Sequence, residues 1–571
     1  MKKYFLKLFI IVIAISSSLS CRKDFLDKAP GVDIDENVVF SSKIQLEQFI
    51  ANVYRIGIHS YFIYDANVVT NPRNFTINSA CTDESKMDDT FFHTQAWNSG
   101  TVDANRTGQE DYEYPVRFTA IRDCYIILER INEVPNVDAA YKNQVIGEMK
   151  FIIAHAYFEM FRRYGGVPIV TKRFAVGEDA KIQRSSVEDV VNFIVKNCDE
   201  AVTGLPDTYP ANFRGRITKT AALMLKSRTL LYAASPLFNS ATPYLDFGAN
   251  NKLICYGNED KKRWKMAADA SKVVIDQAIN GNFALITEKG NDKNYKFAWE
   301  QPDNSEIVLA SKLSGPRSRT QFPWFGMQPF HMQNAWGGPS VLHNFVRKYE
   351  KKDGTPQTWP GGNDLSQKYA ELDPRFAQTV GYNGSYWNLD HPILETFEGG
   401  KNSTRCYGGA WMKKNIPDIL SSASNATPNS IVFRLAEAYL NYAEALNEAE
   451  GPVADAYDAV DIIRSRSGMP NLPQGLTKEQ FRERIQNERD IELAFEDHRL
   501  FDIRRWKVAE KDGVMTGAAY GLKIKKVTGS TDFNYEVYVY ENRVFNKRMY
   551  LHPFYPQTEV LKGYLVQNPG Y

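Results

Sequence analysis

Apolar positions recur at helical spacing through most of the chain. In DAAYKNQVIGEMKFIIAHAYFEMFRRYGG, Val145, Met149, Ile152 and Ala156 fall at i, i+4, i+7 and i+11, and Tyr157, Phe161 and Tyr164 continue a second row. Gly165, Gly166 and Pro168 predict where that helix stops. In TKTAALMLKSRTLLYAASP, Thr218 is placed to cap a helix carrying Leu225 and Tyr232, and Pro236 to end it. RWKMAADASKVVIDQAINGN puts Ala267, Ala270, Val274 and Ala278 on an inner face before Gly281. Further on, Leu435, Tyr439, Tyr442 and Leu446 form one stripe. Gly451 and Pro452 then turn the chain into a helix with Ala456, Ala459 and Ile463. Thr477 and Gln480 predict a capping box opening FRERIQNERDIELAFEDHRLFDIRRW.

Paired helices with alanines at the crossing and tyrosines beside them are similar to tetratricopeptide-type hairpins, although no clean repeat of about 34 residues is visible. From about Ile286 to Asn429 the helical period fades. Gly, Pro, Asn and Trp dominate, and short strand-like pieces such as EIVLASKL appear. An irregular insertion of that length in a compact fold is usually functional. The expected organisation is a helical part over 43–285, an irregular ligand-binding insertion over 286–429 and a helical block over 430–571.

The first residues read as an export signal. Lys2, Lys3 and Lys7 precede the apolar run Leu8 to Ile15, and Ser16 to Ser20 supply small residues. The run is shorter than the roughly 20 residues that span a bilayer. Cys21 follows at once, as in bacterial lipoprotein signals, so 1–20 is expected to be removed, Cys21 lipidated and 21–42 left as a tether. Ser18 stands where such signals usually carry Leu. Without 1–20 the chain has 66 Lys plus Arg against 68 Asp plus Glu, which argues against nucleic acid as a partner. The other five cysteines are far apart with no C-x-x-C, so neither a disulfide framework nor a zinc site is expected.

Little in the motifs points to catalysis. Glu488, Glu492 and Glu496 fall at i, i+4 and i+8, and glycoside hydrolysis uses two acids. Acids on one helix face cannot flank a sugar from two sides, and Arg484, Arg489, Arg499 and Arg505 are spaced to pair with them. Nucleophile-elbow, zinc-protease, phosphate-loop and EF-hand motifs are absent, and the eight histidines are scattered, so no cofactor or metal is expected.

Tryptophan is more informative. Trp299, Trp324, Trp336, Trp359, Trp387 and Trp411, six of the nine, fall in the irregular region among Gly, Pro, Asn and Gln. A ring on a loop beside amides can stack on a pyranose while polar groups take its hydroxyls. Singly, each ring is better read as packing; the cluster as a whole reads as binding. An earlier span offers Arg73, Asn74, Asp83, Glu84, Trp97 and Asn98, a second candidate surface or else a capped turn over a packed Trp.

Several stretches resemble the SusD/RagB family of surface lipoproteins. They are CRKDFLDKAP, GEMKFIIAHAYFEMFRRYGGVPIV, GRITKTAALMLKSRTLLYAASP, RLAEAYLNYAEALNEAEG, IIRSRSGMP, NERDIELAFEDHRLFDIRRWK and LHPFYPQTEVLKGYLVQNPGY, in order along the chain. The resemblance implies a mainly α fold, with four degenerate tetratricopeptide-type helix pairs and a loop-rich half with short β-hairpins. It implies a non-catalytic protein on the extracellular face of the outer membrane that passes oligosaccharides to a SusC-like TonB-dependent barrel. It places the glycan site at Asp83, Trp97 and Asn98 together with Trp324 and Trp336. Peptide cargo, a glycan-cleaving activity and a protein-interaction scaffold are the alternatives.

Overall fold

The computed structural model describes residues 36–58, 77–87, 93–105, 110–312, 315–319, 338–359, 361–362, 365–555, 560 and 562–571. Nine helices of twelve or more residues are seen among them: α1 Lys43–Gly57, α2 Glu110–Arg130, α3 Ala139–Tyr164, α4 Val187–Gly204, α5 Lys219–Ala234, α6 Lys262–Ala278, α7 Leu435–Glu450, α8 Ala454–Ser465 and α9 Lys478–Glu492. Each packs on the next through α1, α2 and α3, then α4, α5 and α6; α6 packs on α7, and α7 on both α8 and α9. The C-terminal block therefore continues the stack begun by the N-terminal helices, across an interruption of more than 150 residues in sequence. None of the helices is long and apolar enough to cross a membrane, among the described residues.

The local signals for helix ends are realised. Thr218 accepts from the Ala221 amide, and Thr477 and Gln480 close a reciprocal capping box. Gly165 ends α3 at φ 78°, and a Cβ there would stand 2.5 Å from the Leu253 carbonyl oxygen, so the turn requires glycine. Two expectations are corrected. From Phe151 to its end α3 is buried on every side rather than along a stripe, because α2, α4 and α5 surround it; its charged Glu159 is paired with Arg162 and Arg163 at 2.8 and 2.6 Å. The segment FRERIQNERDIELAFEDHRLFDIRRW is two helices, α9 and the short Arg499–Arg505, broken by left-handed backbone at Phe495 and Asp497. Glu496 lies within that break, beyond the end of α9 and so off the helix face of Glu488 and Glu492.

Antiparallel strands occur in the early span, in the irregular half and, as the longest hairpin, in the C-terminal block expected to be helical. Numbered in chain order these are β1 Ser85–Lys86, β2 Ile307–Lys312, β3 Ser340–Val341, β4 Gly361–Gly362, β5 Val380–Tyr382, β6 Ala410–Met412, β7 Asn429–Arg434, β8 Gly517–Lys526 and β9 Phe533–Arg543. They form sheets of order β1-β3-β6-β5, β2-β7 and β4-β9-β8. β2 is the strand expected at EIVLASKL. With few helices to fill the irregular half, large rings do so: Trp387 and Trp411 pack with Leu394, Cys406, Ile416 and Leu420, and Trp299 packs with Tyr295, Ile307 and Ile431.

Candidate functional site

The early candidate span forms a strap, residues Ile77–Met87, laid across the corner between α9 and the Arg499–Arg505 helix. Asp83 Oδ1 accepts from Arg499 Nε at 2.8 Å, and its Oδ2 accepts from Arg499 Nη2 at 2.7 Å and Lys348 Nζ at 2.6 Å. Asp490 of α9 shares both cations, with Arg499 Nε at 3.0 Å. Glu84 accepts from the Phe495 amide at 3.0 Å, and Asn78 donates to Asp497 at 2.5 Å. These contacts grip the two left-handed residues of the corner, which explains why the helix breaks there.

Three carboxylates face two cations in this buried cluster, and their ionisation separates. Burial pushes the Asp83 carboxyl up, but the adjoining Arg499 and Lys348 outweigh it and hold it well below the usual range. Among the described residues no cation is in contact with Glu84; burial and the neighbouring Asp490 charge push it up to about 8.

Trp97 and Asn98 end a one-turn helix, Thr94–Asn98, beside the strap. The Trp97 ring lies 4.7 Å from the His552 ring and 4.7 Å from the Arg504 guanidinium, and is only 5 % exposed. Asn98 Nδ2 donates to the Ala80 carbonyl at 3.1 Å, tying this turn to the strap. The structure thus brings Asp83, Trp97 and Asn98 together, with all three side chains turned inward. Asn98→Ala should cost about 1 kcal/mol, the usual net worth of one such bond. Faster limited proteolysis within 77–87 would reveal the loosened strap, and an unchanged cleavage rate would count against this role.

Trp324, Trp336, Arg73, Asn74 and the lipidation residue Cys21 lie outside the described residues. Of the other tryptophans in the irregular half, Trp299, Trp387 and Trp411 are buried, and Trp359 is partly buried with Lys351 Nζ 5.9 Å from its ring. For the three buried rings the packing reading holds and the binding reading is corrected. Exposed aromatic faces come instead from tyrosines that the tryptophan pattern passed over, Tyr386 at 44 % and Tyr407 at 50 % exposure. Tyrosine on a Gly-rich or alternating segment was the available signal, masked by the 31 tyrosines of the chain.

The acids that invited a hydrolase reading are locked. Glu488 accepts from Arg375 at 2.5 Å and Arg464 at 2.9 Å. Glu492 is bound by Arg434 at 2.6 Å, by Arg375 at 2.9 Å and by Arg466. Glu496 is bound by Arg434 at 2.8 Å and Lys414 at 2.5 Å. Burial pushes all three carboxyls up, and the surrounding cations more than reverse it and hold them low. The partners differ from those expected by spacing. Arg489 and Arg505 pair with Asp502, Arg484 with Glu350, and Arg499 with the strap. The cations that hold the acids come instead from β7, the irregular half and the end of α8. An ionised, arginine-bound carboxylate cannot act as the general acid of glycosidic cleavage.

Comparison with known proteins covers both halves of the fold. A family model described as the SusD family matches residues 305–571, and one described as starch-binding associating with outer membrane matches residues 24–231. A SusD-like protein of Formosa agariphila, P2, is 35 % identical over 391 residues, 66 % of this chain and 68 % of that one. Among solved structures, a SusD-like protein from Bacteroides fragilis superposes with TM-score 0.77 at 25 % identity, over 95 % of this chain and all of that one. A laminarin-binding SusD-like protein superposes with TM-score 0.58 at 19 % identity, over 93 % of this chain and all of that one. With its helical stack continued by a C-terminal block of matching sequence, this chain belongs to the SusD family.

Proposed function

We propose that this protein is a non-catalytic glycan-binding lipoprotein of the outer cell surface, anchored through Cys21, that captures oligosaccharides and delivers them to a SusC-like TonB-dependent barrel. The observation that carries the reading is a division of labour between α9 and the irregular half. The α9 acids that invited a hydrolase reading, Glu488 and Glu492, are spent inside in ion pairs, while aromatic faces of the irregular half, Tyr386 and Tyr407, are turned to solvent. Exposed rings suit stacking on sugars, and α9 acids held ionised by arginines do not suit cutting them. The family and the laminarin-binding neighbour are in keeping with it. Asp83, Trp97 and Asn98 then serve as the packed floor of the site, and Trp324 and Trp336 remain candidate stacking surfaces.

Retardation gels and calorimetry with a glycan panel test the reading. Binding in the micromolar to millimolar range, about −8 to −4 kcal/mol, is expected, with no product released. Product formation from any bound glycan would establish an enzyme instead. A barrel transporter that co-purifies from solubilised outer membranes supports the delivery role; an unrelated soluble partner in its place refutes it.

A further inference from the structure

We propose that the side of the molecule where the chain from Cys21 enters the fold lies against the lipid bilayer, with Val38, Ile44 and Val176 reaching the boundary between headgroups and acyl chains. The proposal rests on the anchoring of the protein through Cys21 and adds to it a contact made by the folded body.

The chain enters at Glu36, the first residue of a short helix, Glu36–Val39. That point is fixed by ion pairs. Glu36 accepts from Arg173 Nη1 at 2.8 Å and from Arg130 Nη1 at 3.4 Å, and Asn37 accepts from Arg130 Nη2 at 3.0 Å. The Arg130 guanidinium stands 4.8 Å from the Phe40 ring. One cluster thus joins the entry helix, the end of α2 and the segment that follows α3. The 15 positions from Cys21 to Glu36 reach at most about 50 Å when fully extended. Acyl chains on Cys21 therefore hold this side of the molecule within that distance of the bilayer.

Apolar side chains face solvent around this entry point. Val38 on the entry helix is half exposed, Ile44 in the first turn of α1 is 72 % exposed, and Val176, three residues past Arg173, is 108 % exposed. Val176 is the most exposed large hydrophobic among the described residues, and it stands on a built apex. The Glu178 amide donates to the Ala175 carbonyl at 3.1 Å, the Ala175 amide donates to the Glu178 carboxylate at 2.9 Å, and Gly177 turns the corner at φ 84°. Lys172 pairs with Glu178 at 2.5 Å and closes the turn from outside. Such tips ordinarily carry Pro, Gly or a polar residue, whereas this one presents a valine.

The surrounding charges suit a headgroup layer. Acids here are matched by cations: Glu36 and Glu129 by Arg173, Glu133 by Arg130, Glu178 by Lys172 and Asp179 by Lys181. Repulsion from lipid phosphates is muted accordingly. Lys172 and Lys181 stand on either side of the apex in sequence, and a lysine can lay its stem along an apolar boundary while its ammonium reaches a phosphate. Val38, Ile44 and Val176 sit on three separate elements with charges between them. A protein partner would need a continuous complementary patch, with a well-packed apolar core. A fluid bilayer needs no matching shape and takes up apolar tips one at a time, so it is the occupant that fits.

The test places the acylated full-length protein in vesicles of phosphatidylethanolamine and phosphatidylglycerol. Cys81, Cys124, Cys198, Cys255 and Cys406 are buried, so an environment-sensitive dye can be directed to Val176→Cys, Ile44→Cys or Val38→Cys. Ile279→Cys, at the exposed end of α6, is the control. Dye at 176, 44 and 38 should shift to the blue and be quenched by nitroxide-labelled lipid, and dye at 279 should do neither. Val176→Asp, introduced into the Ile44→Cys protein, should move the equilibrium between docked and free dye about tenfold toward free, the worth of withdrawing one valine. Thermal unfolding of that variant should be unchanged, because Val176 is fully exposed. Mass spectrometry of the N-terminal peptide reads the anchor separately. An unacylated Cys21 overturns the anchoring reading and this proposal with it. An acylated protein whose dyes at 176 and 44 behave as the one at 279 overturns the bilayer contact alone. A shift that requires a barrel transporter in the same vesicles makes the occupant a protein and overturns the lipid assignment.

Discussion

Replacing Arg434 with Met is expected to cost about 3–5 kcal/mol of stability, the largest effect of any single change considered. Arg434 ends β7 and is buried, and its guanidinium reaches Glu306 at 2.9 Å, Glu492 at 2.6 Å and Glu496 at 2.8 Å. Methionine fills much of the same volume, so the loss is electrostatic. Three carboxylates lose a shared cation at a place where water cannot replace it. Arg466, Arg375 and Lys414 remain and keep the cost finite. A surface control sharpens the test. Arg482 pairs with Glu448 at 2.5 Å but is a third exposed, and Arg482→Met should cost under about 1 kcal/mol. Chemical denaturation of the two variants measures the difference. Equal midpoints would mean that the buried network contributes no more than a surface pair.

The second large effect appears only as a function of pH. Glu84 titrates at an ordinary 4.5 in the unfolded chain and near 8 in the fold, so the folded protein holds its proton more tightly. The stability this confers is complete below about pH 4.5 and falls away as pH rises to about 8. A gap of that size corresponds to roughly 3–5 kcal/mol at the alkaline end. The depressed groups Asp83, Glu488, Glu492 and Glu496 act in the opposite sense, losing their contribution as pH falls into the acid range. Glu84→Gln mimics the protonated acid; it can still accept from the Phe495 amide and reach the Thr82 hydroxyl, which lies 3.4 Å from Glu84 Oε2 in the parent. The variant should match the parent near pH 5 and exceed it by several kcal/mol at pH 9. Parallel stability curves for the two proteins between pH 5 and 9 would exclude a protonated Glu84.

The helices and their ends were legible because the signals are local. Thr218, Gly165, Gly451 and the Thr477–Gln480 box each act within one turn of where they stand. The candidate site was less so. Trp299, Trp387 and Trp411 read as part of a binding cluster in sequence because Gly, Pro and Asn surround the group, although each ring alone reads as packing. In a half with few helices, those same loops fold over the rings and bury them. The break at Phe495 and Asp497 has no signature in NERDIELAFEDHR, whose composition suits a helix; Glu84, Asn78 and Arg162, brought from far away, hold it open. For the same reason Glu488, Glu492 and Glu496 were legible as ion-paired acids while their partners were not. Spacing reports neighbours on a helix, and the true partners arrive from β7, from Arg375 and from Lys414.

The strap has a consequence for how the molecule is made. Asp83 and Arg499 meet across 416 positions of chain, and Glu84 and Phe495 across 411. A polypeptide that emerges from its N-terminus carries the acids long before their partners exist. Contacts of such sequence separation are the slow ones in folding, since a large loop must close before they give anything back. The helical stack from α1 to α6 can assemble early from near neighbours, whereas the strap can dock only after the α9 corner has formed. A chain stopped short of that corner would carry an unpaired Asp83 and an open seam, so full-length synthesis is itself a checkpoint on the finished surface.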